Sequence, residues 1–171
     1  MADYPQPVQI LKHRGFFDYS ALLQAIRKWF IDEDFDTLDI PMYKQKFPGP
    51  TGTEHEVKMK AAKNVTEYVK YEFVFQMRVY NLRDVEIIQD GKKIKVQDGQ
   101  VQIEIESNLV LDWQKRFKGS GPFAPFIKSL DNFYRNYIIK YTIVDYWEDM
   151  CLLKSLQLLR VVKQTLGQEV M

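Results

Sequence analysis

Between Val69 and Val79 apolar side chains fall at every second position, Val69, Tyr71, Phe73, Phe75, Met77 and Val79, with Lys70, Glu72, Gln76 and Arg78 between them. A period of two is the pattern of a β-strand with one face in a core and the other in water, so it predicts a long strand over 68–80. The same alternation predicts further strands. Val57, Met59 and Ala61 stand against Glu56, Lys58 and Lys60, Leu38, Ile40 and Met42 form a short strand, and weaker runs cover 85–88 and 94–96. A last strand carries Val101, Ile103, Ile105, Leu109, Leu111 and Trp113 on one face, with Ser107 interrupting the set as a bend or bulge. Asp90-Gly91 and Asp98-Gly99 each predict a hairpin, because type I′ turns need positive φ at both central residues. Two hairpins in close succession imply an up-and-down meander, and Phe47-Pro48-Gly49-Pro50-Thr51-Gly52 is expected to be a loop.

Two regions switch to helical spacing. Leu22, Leu23, Ile26, Trp29 and Phe30 predict an amphipathic helix over 19–31, with Asp18 or Ser20 as its cap. The acidic run Asp32-Glu33-Asp34-Phe35-Asp36 should end it, because a helix C-terminus is already negative. From Phe123 to Leu166 the single proline, Pro125, suits a first helical turn, and Gly167 suits a stop. Steps of seven give Leu130, Tyr137, Val144, Cys151 and Leu158, with Phe126, Phe133, Trp147 and Val161 on a neighbouring stripe that also carries Lys140 and Lys154, an imperfect heptad. Unbroken, such a helix would be about 65 Å long, beyond the roughly 30–35 Å width of a domain this size. It is expected either to break near Thr142-Ile143-Val144 and the acidic 145–149 stretch, or to project and pair with another subunit.

These elements make an α+β domain: an antiparallel β-meander of five to six strands packed on one face by an N-terminal helix and a long, breakable C-terminal helix. Residues 1–171 form one domain, of which 123–166 is the segment able to project or oligomerise. The order of elements resembles the START-like helix-grip arrangement, whose members often hold apolar ligands between sheet and helix. That resemblance is topological and implies an apolar cavity facing the helix.

Composition narrows the function. Aromatic residues reach 14%, with 11 Phe and 10 Tyr, so large rings need a core, a cavity or an interface. The net charge is +1 without a basic cluster, which disfavours nucleic acid as a partner. The one cysteine excludes an intramolecular disulfide or a multi-cysteine zinc site and suits a reducing, cytoplasmic compartment. No apolar run is long enough to span a bilayer, and the N-terminus carries no signal-peptide pattern.

Candidate chemistry is sparse. His13 and His55 lack neighbouring ligands and are expected at the surface. Asp32, Asp34 and Asp36 begin like an EF-hand loop, but Thr37 replaces the turn glycine and Tyr43 the bidentate glutamate. Glu104 and Glu106 sit on the polar face of a strand, and Asp145, Glu148 and Asp149 lack the Glu-x-x-His of a carboxylate-bridged metal centre. Gly119-Ser120-Gly121-Pro122 lacks the Lys-Ser/Thr of a phosphate loop and is expected as a hinge. No catalytic residue, metal or cofactor is therefore assigned. The expectation is a non-enzymatic interaction or structural module, oligomeric through its C-terminal helix, with a protein partner or a second copy. The alternative is a carrier of a lipid or other hydrophobic small molecule, and an enzyme ranks third. Tyr71, Phe75, Tyr137, Tyr141 and Trp147 are the candidate ligand- or partner-binding residues under either of the first two readings.

Overall fold

Alternation is strongest where the chain folds its longest strands, which pair with each other. In the computed structural model, which describes residues 2–115, 121–137 and 145–168, β1 spans Ala2–Pro5, β2 Gln9–Phe16, α1 Tyr19–Asp32, β3 Thr37–Gly49 and β4 Gly52–Asn64. β5 spans Val69–Gln89, β6 Lys92–Leu111, α2 Ala124–Phe133 and α3 Asp145–Thr165. The 138–144 stretch, where the helix break was expected, lies outside the described residues. So does most of the Gly119-Ser120-Gly121 hinge.

All strand pairs are antiparallel. β3, β4, β5 and β6 form a meander, and β1 and β2 lie end to end along the free edge of β6, giving the order β1-β6-β5-β4-β3 with β2 also on β6. β5 and β6 pair from Val69 opposite Leu111 to Gln89 opposite Lys92. Asp90 and Gly91 close this hairpin with φ of 50° and 76°, the two positive values that a type I′ turn needs. Beyond the pairing of Thr53 with Leu82, β4 no longer flanks β5, and the β5–β6 ribbon runs on alone to its turn.

Three local expectations change. Asp98-Gly99 is not a hairpin; it lies inside β6, opposite a bulge in β5 between Tyr80 and Arg83, where Asn81 takes φ 55°. A Cβ on Gly99 would stand 3.2 Å from the Tyr80 carbonyl oxygen and 3.3 Å from Leu82 Cα, so glycine serves close approach rather than a turn. The loop expected over 47–52 shrinks to Pro50-Thr51, because edge strand β3 continues to pair as far as Gly49 with Gly52. A second bulge between Asp39 and Met42, at Pro41, shifts the phase of β3, leaving Ile40 exposed and pairing Tyr43 with Val57. β1 and β2 were not expected at all; Pro5, Pro7 and Gly15 interrupt them, which an edge tolerates.

The inner face of the sheet is the core. Phe75, Met77, Val79, Ile103 and Ile105 have no exposed area, and Val57, Met59 and Phe73 at most 2%. α1 starts at Asp18, whose Oδ1 accepts the Ala21 amide at 2.9 Å, and buries Leu22, Ile26, Trp29 and Phe30. Trp29, Phe30 and Phe35 gather round Phe73 with ring centroids 5.2–6.4 Å apart, the Phe35–Phe73 pair near perpendicular. α3 turns Cys151, Ser155, Leu158 and Val162 inward, Leu166 just past its end is buried too, and Lys154 reaches Glu33 at the end of α1. The outer face of the sheet carries polar pairs such as Arg78 with Glu56 at 3.2 Å.

A fully enclosed ring in such packing leaves a cavity when removed. Phe73→Ala is expected to destabilise the fold by about 3–5 kcal/mol. Ile88→Ser, at the exposed ribbon tip, should stay within about 0.5 kcal/mol of the native chain. Urea unfolding followed by circular dichroism measures both.

Candidate functional site

α2 is built with its polarity reversed. Pro125 sits in its first turn, the Ala124 amide donates to the Gly121 carbonyl at 3.1 Å, and after Phe133 the backbone widens into a π-type turn through 134–137. The side of α2 that meets the rest of the chain carries a charge pair. Asp131 is 6% exposed, and its Oδ2 accepts from Arg135 Nη2 at 2.5 Å. One turn on, the Tyr134 ring meets Tyr68 edge-on at 6.2 Å. Burial, then the negative charge of Asp131, pushes the Tyr68 hydroxyl above the ordinary tyrosine range.

The rings of α2 point the other way. Phe123, Phe126, Leu130, Phe133 and Tyr137 repeat at steps of three and four and are all exposed, Phe126 to 65% and Tyr137 to 75%. Phe133 and Tyr137 stack on each other with centroids 5.1 Å apart, so the stripe stays on one side through the widened turn. An amphipathic helix ordinarily puts such a stripe into the core. Here the carboxylate is inside and the rings are outside.

The five candidate binding residues separate. Tyr71 is 4% exposed and its hydroxyl donates to the Trp147 carbonyl at 3.4 Å, with the two rings 6.5 Å apart. Phe75 lies deeper in the core, Tyr137 lies on the exposed stripe, and Tyr141 lies outside the described residues. Only Tyr71 and Trp147 are brought together, as a packing contact between β5 and the first turn of α3. A void wide enough for water would leave exposed area on its walls, and the described inner-face residues around Phe75 show at most 2%. Grooves among the described residues open on the outside, one of about 580 Å³ lying between the start of α1 and the β5–β6 ribbon, beside Phe16, Tyr19, Asp84 and Gln97.

Two polar groups stand where the sequence reading did not put them. His55 is 9% exposed rather than at the surface, and His13 is half-buried with Nδ1 3.0 Å from Gln168 Nε2. The His55 ring stacks on Tyr19 at 4.7 Å, and its Nδ1 lies 3.4 Å from the Tyr43 hydroxyl. Burial holds this imidazole below its ordinary pKa, and burial, then Tyr43, raises the Tyr19 hydroxyl. Such a cluster is neutral at physiological pH. Cys151, fully enclosed beside Ser107, is pushed up to about 12 by burial.

Two of the acidic groups weighed from sequence, Asp36 and Glu104, have structural partners. Asp36 Oδ2 accepts the Asn64 amide at 2.6 Å, and Glu104 accepts from Gln102 at 2.8 Å and faces Arg78 on the outer sheet. Among the described residues no three His, Cys, Asp or Glu side chains are placed to hold a metal. None of the described helices is long and apolar enough to cross a membrane. No protein-family model matches the chain, and no curated protein matches its sequence.

Two outcomes follow from the buried groups. A base whose folded pKa lies below its unfolded one favours unfolding when protons are plentiful, so the His55 contribution to stability is intact above about pH 6.5 and falls as pH drops below it. His55→Asn should flatten the stability profile on that acid side, read by urea midpoints between pH 5 and 7. Cys151 should stay unreactive toward a disulfide reagent in the folded chain and react at the rate of global unfolding, followed by thiolate release.

Proposed function

We propose that this chain is a non-enzymatic protein-interaction module whose working surface is the outward ring stripe of α2, at the start of the C-terminal helical segment. The observation that carries this reading is the reversed polarity of α2, with Asp131 enclosed and Phe126, Leu130, Phe133 and Tyr137 in water. With Phe123 and Tyr134 the exposed apolar surface is on the order of 700 Å², at about 200 Å² for a whole aromatic side chain. Patches above roughly 300–600 Å² on a soluble chain mark interaction sites.

The packed inner face supports this reading over the carrier reading, because Tyr71 and Phe75, two of the rings expected to line a cavity, are buried among other core groups. The neutral His55–Tyr19 pair and the structural engagement of Asp36 and Glu104 support a binding role over an enzymatic one.

A photo-crosslinking residue such as p-benzoylphenylalanine reports what touches a chosen position in the cell. Placed at position 126 it is expected to yield covalent protein adducts, whereas at Gln102 on the outer sheet it should yield few or none. An absence of adducts at 126, or equal yields at both positions, would remove the reading.

A further inference from the structure

Resting on that reading, we infer that the partner seated on the α2 stripe is a second copy of the same chain, packed helix against helix. The first argument is charge. At about 100° per residue, Phe126, Leu130 and Phe133 occupy one sector of α2, Phe123 extends it at the N-terminal end, and the stack with Phe133 keeps Tyr137 on the same side. One flank of that sector is Ile127 and Tyr134, and the other is Pro125, Ser129 and Asn136. Lys128 stands on the opposite side of the helix, while Asp131 and Arg135 are paired with each other toward the body. Among the described residues of this segment no charged side chain borders the stripe, so two copies packed there bring no like charges of α2 together. The described part of the stripe therefore offers an apolar partner more than a charged one, and it lacks the flanking Lys and Arg that interfacial helices place beside their apolar face.

The second argument is shape. Rings at alternating steps of three and four make the repeat that packs knobs into holes, and the same patch on two copies can interdigitate with itself. The third is area. Roughly 700 Å² from each copy approaches the roughly 800 Å² per partner of a standard stable interface. Rings that are rigid and already ordered, as the Phe133–Tyr137 stack is, lose little freedom on docking. The isologous pair also encloses the two most exposed rings of the helix.

Sedimentation velocity on the full chain at about 1–100 μM tests the mass, with the 20.3 kDa protomer as reference. A dimer is expected, and Phe126→Asp or Phe133→Asp should raise its dissociation constant about 100-fold or more, since each substitution acts twice across a two-fold interface. Both positions are exposed, so an unchanged thermal midpoint will show the fold intact. Leu130→Cys on the stripe should give a disulfide-linked dimer under mild oxidation and Lys128→Cys should not, Cys151 being enclosed. The inference fails if the chain stays monomeric at 100 μM, if the dimer is indifferent to Phe126→Asp, or if the monomer binds phosphatidylcholine vesicles through the stripe. If crosslinks from position 126 carry a different protein while the chain is monomeric, the interaction reading stands and the second copy is wrong.

Discussion

The pairing of β5 with β6 is the constraint on which the other elements rest. Side chains alternate across a strand, so a slip of one residue would turn Phe73, Phe75 and Met77 to water and Glu72, Gln76 and Arg78 into the core. The Asp90-Gly91 turn sets the register at one end. At the other, Val69 stands opposite Leu111, with both side chains enclosed. Between them the bulge at Asn81 and the bare Gly99 absorb one extra residue, so the inner face resumes in phase on the core side with Val79 and Val101. β4 then extends the same inner face through Val57, Met59 and Ala61. β1 and β2 cover the far edge of β6.

That inner face is saturated by two helices. α1 brings Trp29 and Phe30 onto Phe73, and α3 brings Cys151, Leu158 and Val162 against the remainder. Edge-to-face ring contacts hold the α1 end, worth about 0.5–1.5 kcal/mol each beyond area burial. The partly exposed Glu33–Lys154 pair, worth about 1 kcal/mol or less, contributes orientation more than stability. With α1 and α3 seated, the described inner-face residues of the sheet are already buried, and α2 meets the body through Tyr134 against Tyr68. Its carboxylate faces the chain through Arg135, and its rings remain outside. The exposed ring stripe of α2 is thus what remains once the inner face is covered.

How much of this was legible along the chain depends on how local the deciding physics is. The 3.6-residue spacing of Leu22, Ile26, Trp29 and Phe30 and the period of two in β4, β5 and β6 identify elements and their apolar faces, because a face is a property of a short segment. His55 was legible and passed over: it stands two residues before Val57, in phase with Met59 and Ala61, so alternation alone placed it inward. β1 and β2 were not, since short edge strands broken by proline carry little pattern and are defined by their partner, β6. Asp98-Gly99 was ambiguous in kind, because the same dipeptide suits a turn or a close approach, and only the opposing bulge in β5 chooses between them.

The C-terminal helical segment draws the boundary most sharply. Residue spacing established that Phe126, Leu130, Phe133 and Tyr137 share a side of a helix, because that follows from the geometry of one segment. It also established the α+β class, the long β5 and the capped α1. Spacing could not say whether the stripe faces the sheet or the solvent, since an isolated helix has no inside. That choice belongs to the tertiary structure, where the limited area of one sheet face is already covered by α1 and α3, and where enclosing the Asp131–Arg135 pair turns the rings of α2 outward.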